Sequence, residues 1–394
     1  MKNIKNIPFL KTYNQEKLKY GLLLDKLVSI FIKCKQSNNR NDFFKNPPKK
    51  ILIVQSHLIG DVVMTTPMLK ALRISYPVSQ ISLLANEFAK DLLGEAPYVN
   101  KIITIKFPWA MYDYSFKNLW KVFKVVRKLR KEHFDLSIDA KIDFRNIFLM
   151  YLIGAKRRLG YDITGGRAFL TDIPEFPMDV VHISEASLSL LNYMGSDTSN
   201  KTTELFVSED AINWVEDFLK NISDSSEKLI GIHPGASKEE RLWKPDRFAK
   251  VIESLRSKNY YPVIIAGPKD ERVTNEIVSL LDNYHIPVVR TSLRNVVALV
   301  KKCKLIICLD SGILHIGAAV GTPCVSLYGP NSPEETRPLT GNSIALFNDK
   351  LDCRPCEYGK CKKGKNICMT SIKVENVLEA VSYSEGLGMR DLLT

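Results

Sequence analysis

The sequence contains no apolar run of the roughly 18 residues that a transmembrane helix needs. Its first residues also lack the basic, apolar and small-residue order of a secretory signal peptide. These two absences argue against a membrane-spanning or a secreted protein. We therefore expect the protein to be cytoplasmic.

Three nucleotide- and metal-binding signatures are also missing. No Gly-x-Gly-x-x-Gly follows a strand-like run, which argues against a dinucleotide dehydrogenase. Gly359–Lys365 has the spacing of a P-loop, but Asn366 stands where Ser or Thr is needed and no strand precedes it. No Asp-x-Asp pair occurs, so the simplest carboxylate pair for a divalent metal on a nucleotide diphosphate is absent. The diphosphate charge would have to be met by basic side chains and helix N-termini.

The composition is that of a globular protein with a large positive charge. Of the 394 residues, 45% are hydrophobic and 25% are charged, which suits two domains plus an extension. The formal net charge of +13 favours an anionic partner: a nucleic acid, an anionic lipid or a phosphorylated substrate. A solvated, Lys-rich surface accounts for the same charge, and composition does not separate the two interpretations.

Short apolar runs alternate with helical patterns, which predicts an α/β protein. The first run, Ile51–Val54, is typical of a buried parallel strand, and a helix is predicted from Asp61 to Tyr76. The alternation restarts after about residue 200 and ends with a strand at Cys324–Tyr328. We expect an extension at 1–48, Rossmann-like doubly wound domains at 49–207 and 208–372, and a tail at 373–394.

The extension combines a helical segment with a polar stretch. Leu18–Lys35 interleaves apolar residues with lysines and predicts an amphipathic helix, whereas Asn38–Pro48 is typical of a linker. The helix either rests on a membrane interface or caps the first domain. We favour the cap, because a helix with lysines on one face is common on any protein surface. A second, very basic helix is predicted from Ser115 to Lys131.

Three loops that follow predicted strands carry the candidate chemistry. In the first, Gly60 permits a tight turn and Asp61 lies at a helix start, where it either accepts a proton from a hydroxyl or merely favours the helix N-terminus. The second, His233–Ser237, is followed by Arg241 and resembles either a phosphate loop or an ordinary connection.

The third loop contains Asp310 and opens a helix at Ser311 and Gly312, as an anion site would. His315 in that helix is by itself most simply a buried histidine.

Four cysteines cluster within a Lys-rich segment near the end of the chain. Four thiols at such short spacings are able to hold zinc, but the spacing differs from the paired Cys-x2-Cys of common zinc ribbons. Reduced structural thiols are the interpretation that we favour for a cytosolic protein, and a structural zinc stays open. The four residues are Cys353, Cys356, Cys361 and Cys368.

Together, these loops resemble glycosyltransferase family 9, the lipopolysaccharide heptosyltransferases, whose GT-B fold has two Rossmann-like domains and an inter-domain cleft. The resemblance extends from about Lys50 to Ala380, and the clustered cysteines after Asp352 also recur in the family. Each motif is short, but the combination in this order is specific. The motifs are Gly60-Asp61, His233–Ser237 with Trp243 and Pro245, Asp310–Gly312 with His315, Gly321–Pro323 and Tyr328–Pro330.

The resemblance implies an inverting, metal-independent enzyme that uses no cofactor. It would move a heptose or related sugar from an ADP-sugar-type donor to a lipopolysaccharide core or another lipid-linked saccharide. Asp61 matches the proposed general base, with His57 and Gly60 on the acceptor side. Arg241 matches a lysine that contacts the donor phosphates in some members, and Asp270 falls near a carboxylate that contacts the donor ribose in others. The implied donor-binding residues are Ser237, Arg241, Asp270, Asp310, Ser311, Gly312, Ile313 and His315.

The implied partners are a nucleotide-sugar donor and a lipid-linked acceptor, with peripheral contact at the inner face of the inner membrane and no nucleic acid. On this basis 49–207 would bind the acceptor and 208–372 the donor. One alternative is a transferase that uses another nucleotide sugar for a surface polysaccharide. A second is a non-catalytic, nucleotide-binding scaffold at the membrane. The presence of both Asp61 and the donor loops favours an enzyme, because a scaffold could lose either without cost.

Overall fold

The computed structural model describes residues 15–32, 42–111, 113–222, 228–281, 284–356, 361, 363–364 and 366–386. The chain divides between Thr202 and Thr203 into two compact units. Each unit contains one parallel β-sheet with helices packed on it, so the protein has the α/β, GT-B type of architecture that the sequence predicts. None of the helices in these ranges is both long and apolar enough to cross a membrane.

The first unit is built on a five-stranded sheet in the order β3-β2-β1-β4-β5, and all of its strand pairs are parallel. Its strands are β1 (Lys50–Gln55), β2 (Gln80–Ala85), β3 (Lys101–Thr104), β4 (Leu136–Asp139) and β5 (Arg157–Leu159). Its helices are α1 (Gln15–Phe31), α2 (Asp42–Lys45), α3 (Ile59–Met64), α4 (Thr66–Ser75), α5 (Ala89–Leu93), α6 (Pro108–Met111), α7 (Phe116–Arg130), α8 (Phe144–Ile153) and α9 (Ile183–Leu188).

The second unit is built on a six-stranded parallel sheet in the order β11-β10-β9-β6-β7-β8. Its strands are β6 (Lys228–His233), β7 (Tyr260–Ile265), β8 (Val288–Val289), β9 (Leu305–Leu309), β10 (Cys324–Leu327) and β11 (Ser343–Leu346). Its helices are α10 (Glu209–Lys220), α11 (Pro245–Ser257), α12 (Glu271–Ser279), α13 (Leu293–Lys302), α14 (Gly312–Ala319), α15 (Pro333–Thr336), α16 (Ile367–Thr370) and α17 (Val374–Gly386).

The strand order in each sheet reverses at one place. β1 lies between β2 and β4, and β6 lies between β7 and β9, so the loops after the central strands diverge to opposite sides. Ligands of open α/β sheets bind at such switch points, outside the carboxyl ends of the strands. The loops that follow β1 and β4, and those that follow β6 and β9, are therefore where functional residues are expected.

The predicted helix from Asp61 to Tyr76 is wrong in one respect, because the structure divides it into α3 and α4 at Thr65. Pro67 has no N–H with which to continue the helical bond to the carbonyl of Val63. The Thr66 hydroxyl donates to that carbonyl instead, at 2.8 Å. The break leaves α3 as a short helix directly after the β1 loop, with Val62 and Val63 buried in the first unit.

The extension is attached to the first unit. Leu18 of α1 is buried, and Asp25 accepts a hydrogen bond from the N–H of Ala168 at 3.2 Å. Part of the predicted linker is also anchored, because Phe43 of α2 is 2% exposed and its ring lies 3.4 Å from the Arg157 guanidinium. The prediction of a linker is therefore wrong for residues 42–45, which form α2. Residues 33–41 lie outside the described part of the chain.

The tail predicted from residue 373 contributes to the second hydrophobic core. Val377 and Val381 of α17 are buried in the same cluster as Trp243 and Phe248. The Trp243 indole N–H donates to the carbonyl of Ile372 at 3.0 Å, which fixes the start of the helix against α11. Residues 387–394 lie outside the described residues.

Candidate active site

Asp61 lies on the first turn of α3, directly after the buried strand β1. Its Oδ2 accepts the N–H of Leu58 at 3.0 Å, so the carboxylate caps the helix that carries it. The Thr65 hydroxyl donates to the Asp61 carbonyl at 2.8 Å and in turn accepts from the Gln55 amide at 2.9 Å. These contacts hold the Asp61 backbone at the carboxyl edge of the sheet.

The second oxygen of Asp61 contacts a cation that the sequence analysis does not identify. Lys141, in the loop after β4, directs its ammonium group onto Oδ1 of Asp61. The two side chains are 18% and 12% exposed, respectively. Burial by itself raises the pKa of Asp61, but the Lys141 ammonium and the Leu58 N–H stabilise the carboxylate and bring the pKa below its usual value. Asp61 is therefore ionised at neutral pH and able to accept a proton.

The loop after β4 is fixed by a buried carboxylate beneath it. Asp139 accepts the N–H groups of Lys141 at 3.0 Å and Asp143 at 2.8 Å, and the Asn146 amide at 3.0 Å. Burial raises the pKa of Asp139 to about 7, even though these donors favour its ionised form. Ile142, which lies between Lys141 and Asp143, adopts a left-handed backbone with φ of 61°, a conformation that is costly for a β-branched residue. The hydrogen bonds to Asp139 thus hold a strained loop that presents Lys141.

His57 is on the same edge, in a cluster of polar side chains. Its ring nitrogens lie 3.2 Å from the Ser56 hydroxyl and 3.3 Å from the Arg145 guanidinium. Asp143 accepts hydrogen bonds from Arg145 and lies 3.4 Å from His57. Burial, with the nearby Lys141 ammonium, lowers the pKa of His57 to about 4, so the imidazole is neutral at pH 7. His57 can offer a hydrogen bond to a ligand there but carries no charge.

In the second unit, the loops after three neighbouring strands meet. Arg241, which follows β6, lies 3.3 Å from the carboxylate of Asp310, which follows β9. The Asn331 amide, from the loop after β10, donates to the same carboxylate oxygen. Asp310 therefore positions a cation and an amide at the carboxyl edge of this sheet.

The start of α14 provides a second feature of an anion site at this edge. Ser311 is the N-cap of α14, yet its hydroxyl makes no capping bond and is buried with no hydrogen-bond partner in the described structure. Gly312 and Ile313 follow in the first turn, whose N–H groups carry the positive end of the helix dipole. His315 is buried one turn further on. A phosphate oxygen placed here would satisfy the Ser311 hydroxyl and the N–H groups together.

Asp270 supports the loop after β6. Its Oδ2 accepts the N–H of Gly267 at 2.7 Å, and a Cβ added to Gly235 would lie 2.2 Å from its Oδ1. His233 lies beside it, with Nδ1 2.8 Å from the Ile265 carbonyl. Ser237, further along the same loop, is exposed. Gly235 is therefore required by close packing on a carboxylate.

The cysteine segment, which extends from Cys353 to Cys368, is hydrogen-bonded to the loop after β10 through Arg354. Arg354 donates to the carbonyls of Gly329 at 2.5 Å, Asn331 at 2.7 Å and Asn348 at 3.0 Å. Among the described residues, which include all four clustered cysteines, no three His, Cys, Asp or Glu side chains are grouped so that they could hold a metal ion. Cys303, Cys308 and Cys324 are buried in the second unit. The structure thus shows the segment as a support for the loop after β10.

The predicted residues fall into two groups. Asp61, His57 and Gly60 lie together in the first unit, and most of the donor residues lie along one edge of the second sheet. The sequence analysis missed Lys141, Asp143, Arg145 and Asn331. The signal available for Lys141 was its place directly after the strand that ends at Asp139, since the loops after parallel strands share one edge.

Known proteins with similar sequences are heptosyltransferases by name. The lipopolysaccharide core heptosyltransferase OpsX of Haemophilus influenzae is 25% identical over 85% of this chain and 96% of its own. Lipopolysaccharide heptosyltransferase 2 of Escherichia coli K12 is 26% identical over 84% of this chain and 97% of its own.

Solved structures show the same fold. A glycosyltransferase family 9 protein from Veillonella parvula has a TM-score of 0.73 at 24% identity, over 85% of this chain and 97% of its own. E. coli heptosyltransferase WaaC, solved with ADP-2-deoxy-2-fluoro heptose, has a TM-score of 0.65 at 17% identity, over 85% and 99%. The iron-containing, dodecameric glycosyltransferase TibC of enterotoxigenic E. coli has a TM-score of 0.52 at 15% identity, over 90% and 78%.

The family assignment follows from the part of the chain that a sequence profile covers. The profile of glycosyltransferase family 9 (heptosyltransferase) matches residues 122–367, which is more than half of the chain. This range includes Lys141 in the first unit and every loop at the carboxyl edge of the second sheet. A carboxylate base candidate and an anion-binding edge are what sugar transfer from a nucleotide donor requires. The chain therefore belongs to glycosyltransferase family 9 and is a glycosyltransferase.

Proposed function

We propose that the enzyme transfers a heptose from an ADP-heptose-type donor to the lipopolysaccharide core or another lipid-linked saccharide. The proposal is supported by the names of the relatives and by the fold shared with a heptosyltransferase solved with an ADP-heptose analogue. The observation that carries it is the position of Asp61, an ionised carboxylate at the switch point of the first sheet, held on both oxygens. The first unit binds the acceptor, and the second binds the donor.

The reaction is a single displacement that inverts the anomeric carbon. The acceptor hydroxyl oxygen forms the new bond to the anomeric carbon while Asp61 takes the hydroxyl proton. The bond from that carbon to the diphosphate breaks, and the nucleoside diphosphate leaves with the electron pair. Arg241 and the first turn of α14 stabilise the charge that develops on the leaving diphosphate.

We propose that the transfer needs no metal. The positive charge that a divalent cation would supply to the diphosphate is provided by the Arg241 guanidinium, held by Asp310, and by the α14 N–H groups with the Ser311 hydroxyl. Arg241 can contact two phosphate oxygens at once, which suits a leaving diphosphate. Ser237 and Asp270 complete the donor side, as the family resemblance implies.

The lipid-linked acceptor would place the reaction at the inner face of the inner membrane, where the enzyme would bind peripherally. The positive charge of the chain is consistent with such a surface. Nucleic acid is not part of the proposed reaction.

The test of the catalytic assignment is Asp61→Asn, since an amide cannot take the proton but has nearly the same shape. We expect sugar transfer to fall by about 10²- to 10⁴-fold, the usual contribution of a general base. Calorimetry should show ADP bound as tightly as by the unchanged enzyme, and in preference to UDP, GDP and CMP. More than half of the original turnover in the variant would remove Asp61 as the base. Preference for another nucleotide would overturn the donor assignment alone.

A further inference from the structure

The N-terminal half of α7 exposes a row of apolar side chains. Phe116, Leu119, Trp120 and Phe123 recur at intervals of three and four residues, so they share one face of the helix. Phe116 is 81% exposed, Trp120 48% and Phe123 47%. The rings stack along the helix, with centroids 6.3 Å apart for Phe116 and Trp120 and 5.3 Å apart for Trp120 and Phe123. We call these four residues the aromatic face.

The fold itself does not account for the aromatic face. A different side of α7 attaches the helix to the first unit, with Val126 and Leu129 buried in the core cluster and Val122 and Val125 packed against it. Because the helix is already anchored by these aliphatic residues, the exposed rings contribute little burial. Contiguous exposed apolar surface of this kind marks an interaction site.

The charges beside the aromatic face select the chemistry of the partner. Lys117, Lys121, Lys124 and Lys128 recur along the same helix, and the sequence from Phe116 to Arg130 contains no Asp or Glu. The Lys124 ammonium lies 5.8 Å from the centroid of the Trp120 ring. Aromatic residues with flanking lysines are typical of helices that lie in the interface of an anionic bilayer.

A second helix adds to this side of the first unit. Leu23, Leu27 and Ile30 of α1 are exposed and recur at intervals of four and three residues. Val28 and Ile32 pack against the same core cluster as the aliphatic side of α7. Two helices on one cluster therefore each direct an apolar stripe away from the fold.

The aromatic face also lies close to the catalytic edge along the chain. Trp109, in α6 after β3, donates to the Ser56 hydroxyl at 2.9 Å, next to His57. Phe116 follows Trp109 by seven residues, which span at most about 25 Å. A bilayer in contact with α7 would thus hold the lipid anchor of an acceptor within reach of Asp61.

We propose that the aromatic face and the lysines beside it bind the surface of an anionic phospholipid bilayer, with α7 lying in the plane of that surface. The rings enter the headgroup region and the lysines meet lipid phosphates. The inference rests on the proposed function, which calls for a lipid-linked acceptor, and it identifies the side of the first unit that faces the lipid.

The experiment is co-sedimentation of the full chain with vesicles of phosphatidylglycerol or of phosphatidylcholine. The unchanged protein should bind phosphatidylglycerol much more strongly, and the binding should weaken as salt is raised. The double variant Lys117→Gln/Lys121→Gln should bind about 25-fold more weakly, at roughly fivefold for each lysine. Trp120→Ser/Phe123→Ser should lower binding at least tenfold, because the rings provide the apolar contact.

Matched controls lie in the second unit. Ile212→Ser/Val278→Ser removes two exposed apolar side chains from α10 and α12, and Lys250→Gln/Lys301→Gln removes two exposed charges from α11 and α13. Both controls should bind vesicles as the unchanged protein does. All variants should keep ADP affinity and turnover on a delipidated, soluble acceptor saccharide, which tests the proposed function separately from lipid binding.

Three results would overturn the inference. The first is equal binding to both vesicle types or to neither. The second is an α7 variant that binds vesicles normally but loses self-association in analytical ultracentrifugation, which would make the face a contact between copies. The third is an α7 variant that binds vesicles normally but no longer binds single-stranded oligonucleotides. If the unchanged protein does not transfer sugar to the soluble acceptor, that result counts against the proposed function instead.

Discussion

The contact between Lys141 and Asp61 leads to a quantitative prediction about the pH dependence of catalysis. Replacing Lys141 with Met removes the ammonium group but keeps a side chain of similar length. An opposite charge at this separation typically lowers a carboxyl pKa by about one to three units. The Leu58 N–H remains in the variant, whereas the burial that raises the pKa is no longer opposed by a cation. We therefore expect the pKa of Asp61 to rise by about one to three units.

The sign of the effect on rate follows from the role of Asp61. A base must be ionised, so kcat/KM falls as the pH drops through the pKa of the free enzyme. In the unchanged enzyme this acid limb lies below the usual pKa of an aspartate, and in Lys141→Met it should move upwards by about one to three units. Lys141→Arg keeps the charge and should leave the limb close to its original position. The assay is kcat/KM from about pH 4 to pH 9 with a soluble acceptor, alongside ADP affinity, which should not change.

An acid limb of kcat/KM that does not move in Lys141→Met would contradict this prediction. If Lys141→Met shifts it by less than about 0.3 units while transfer continues, either Asp61 is not the base or Lys141 does not control it. The Asp61→Asn variant separates these cases, because it abolishes the limb only if Asp61 produces it.

Two other predictions concern the donor side. Gly235→Ala should weaken ADP binding about tenfold in calorimetry, because the new Cβ would overlap the Asp270 carboxylate, which cannot retreat without losing its bond from Gly267; an unchanged affinity would show that the loop can yield. Transfer should persist in excess EDTA, since Arg241 and the start of α14 supply the positive charge. Loss of transfer that Mg²⁺ or Mn²⁺ restores would contradict a metal-free mechanism, and loss that only Zn²⁺ restores would assign a metal to the cysteine segment.

The central strands were predictable because strands buried on both faces of a sheet consist of continuous apolar residues. Ile51–Val54 and Leu305–Leu309 are continuous apolar runs, and both form strands buried on each face. Helix α8 was not predicted, because Phe144–Ile153 is apolar nearly all round and has no polar stripe to reveal a helical period. The short edge strands β5 and β11 carry too few residues for alternation to show.

The site was only partly predictable, for a different reason. The position of Asp61 at a helix start is local information and can be seen in the sequence. Its contact with Lys141 joins residues 80 positions apart, and depends on β4 lying next to β1 in the sheet. Strand order is not encoded in any single segment, so the partner of a residue after one strand cannot be identified until the topology is known. The assignment of residues 42–45 to a linker failed likewise, because the contact of Phe43 with Arg157 is non-local.

The strained loop between β4 and α8 has a consequence for how the properties of this enzyme can change. The Asp139 carboxylate accepts the main-chain N–H groups of Lys141 and Asp143, and neither bond involves the Lys141 side chain. The residue at position 141 can therefore be exchanged while the frame around it is retained. The side chain at position 141 thus sets how readily Asp61 takes a proton, and the main-chain bonds to Asp139 that shape the loop do not depend on it.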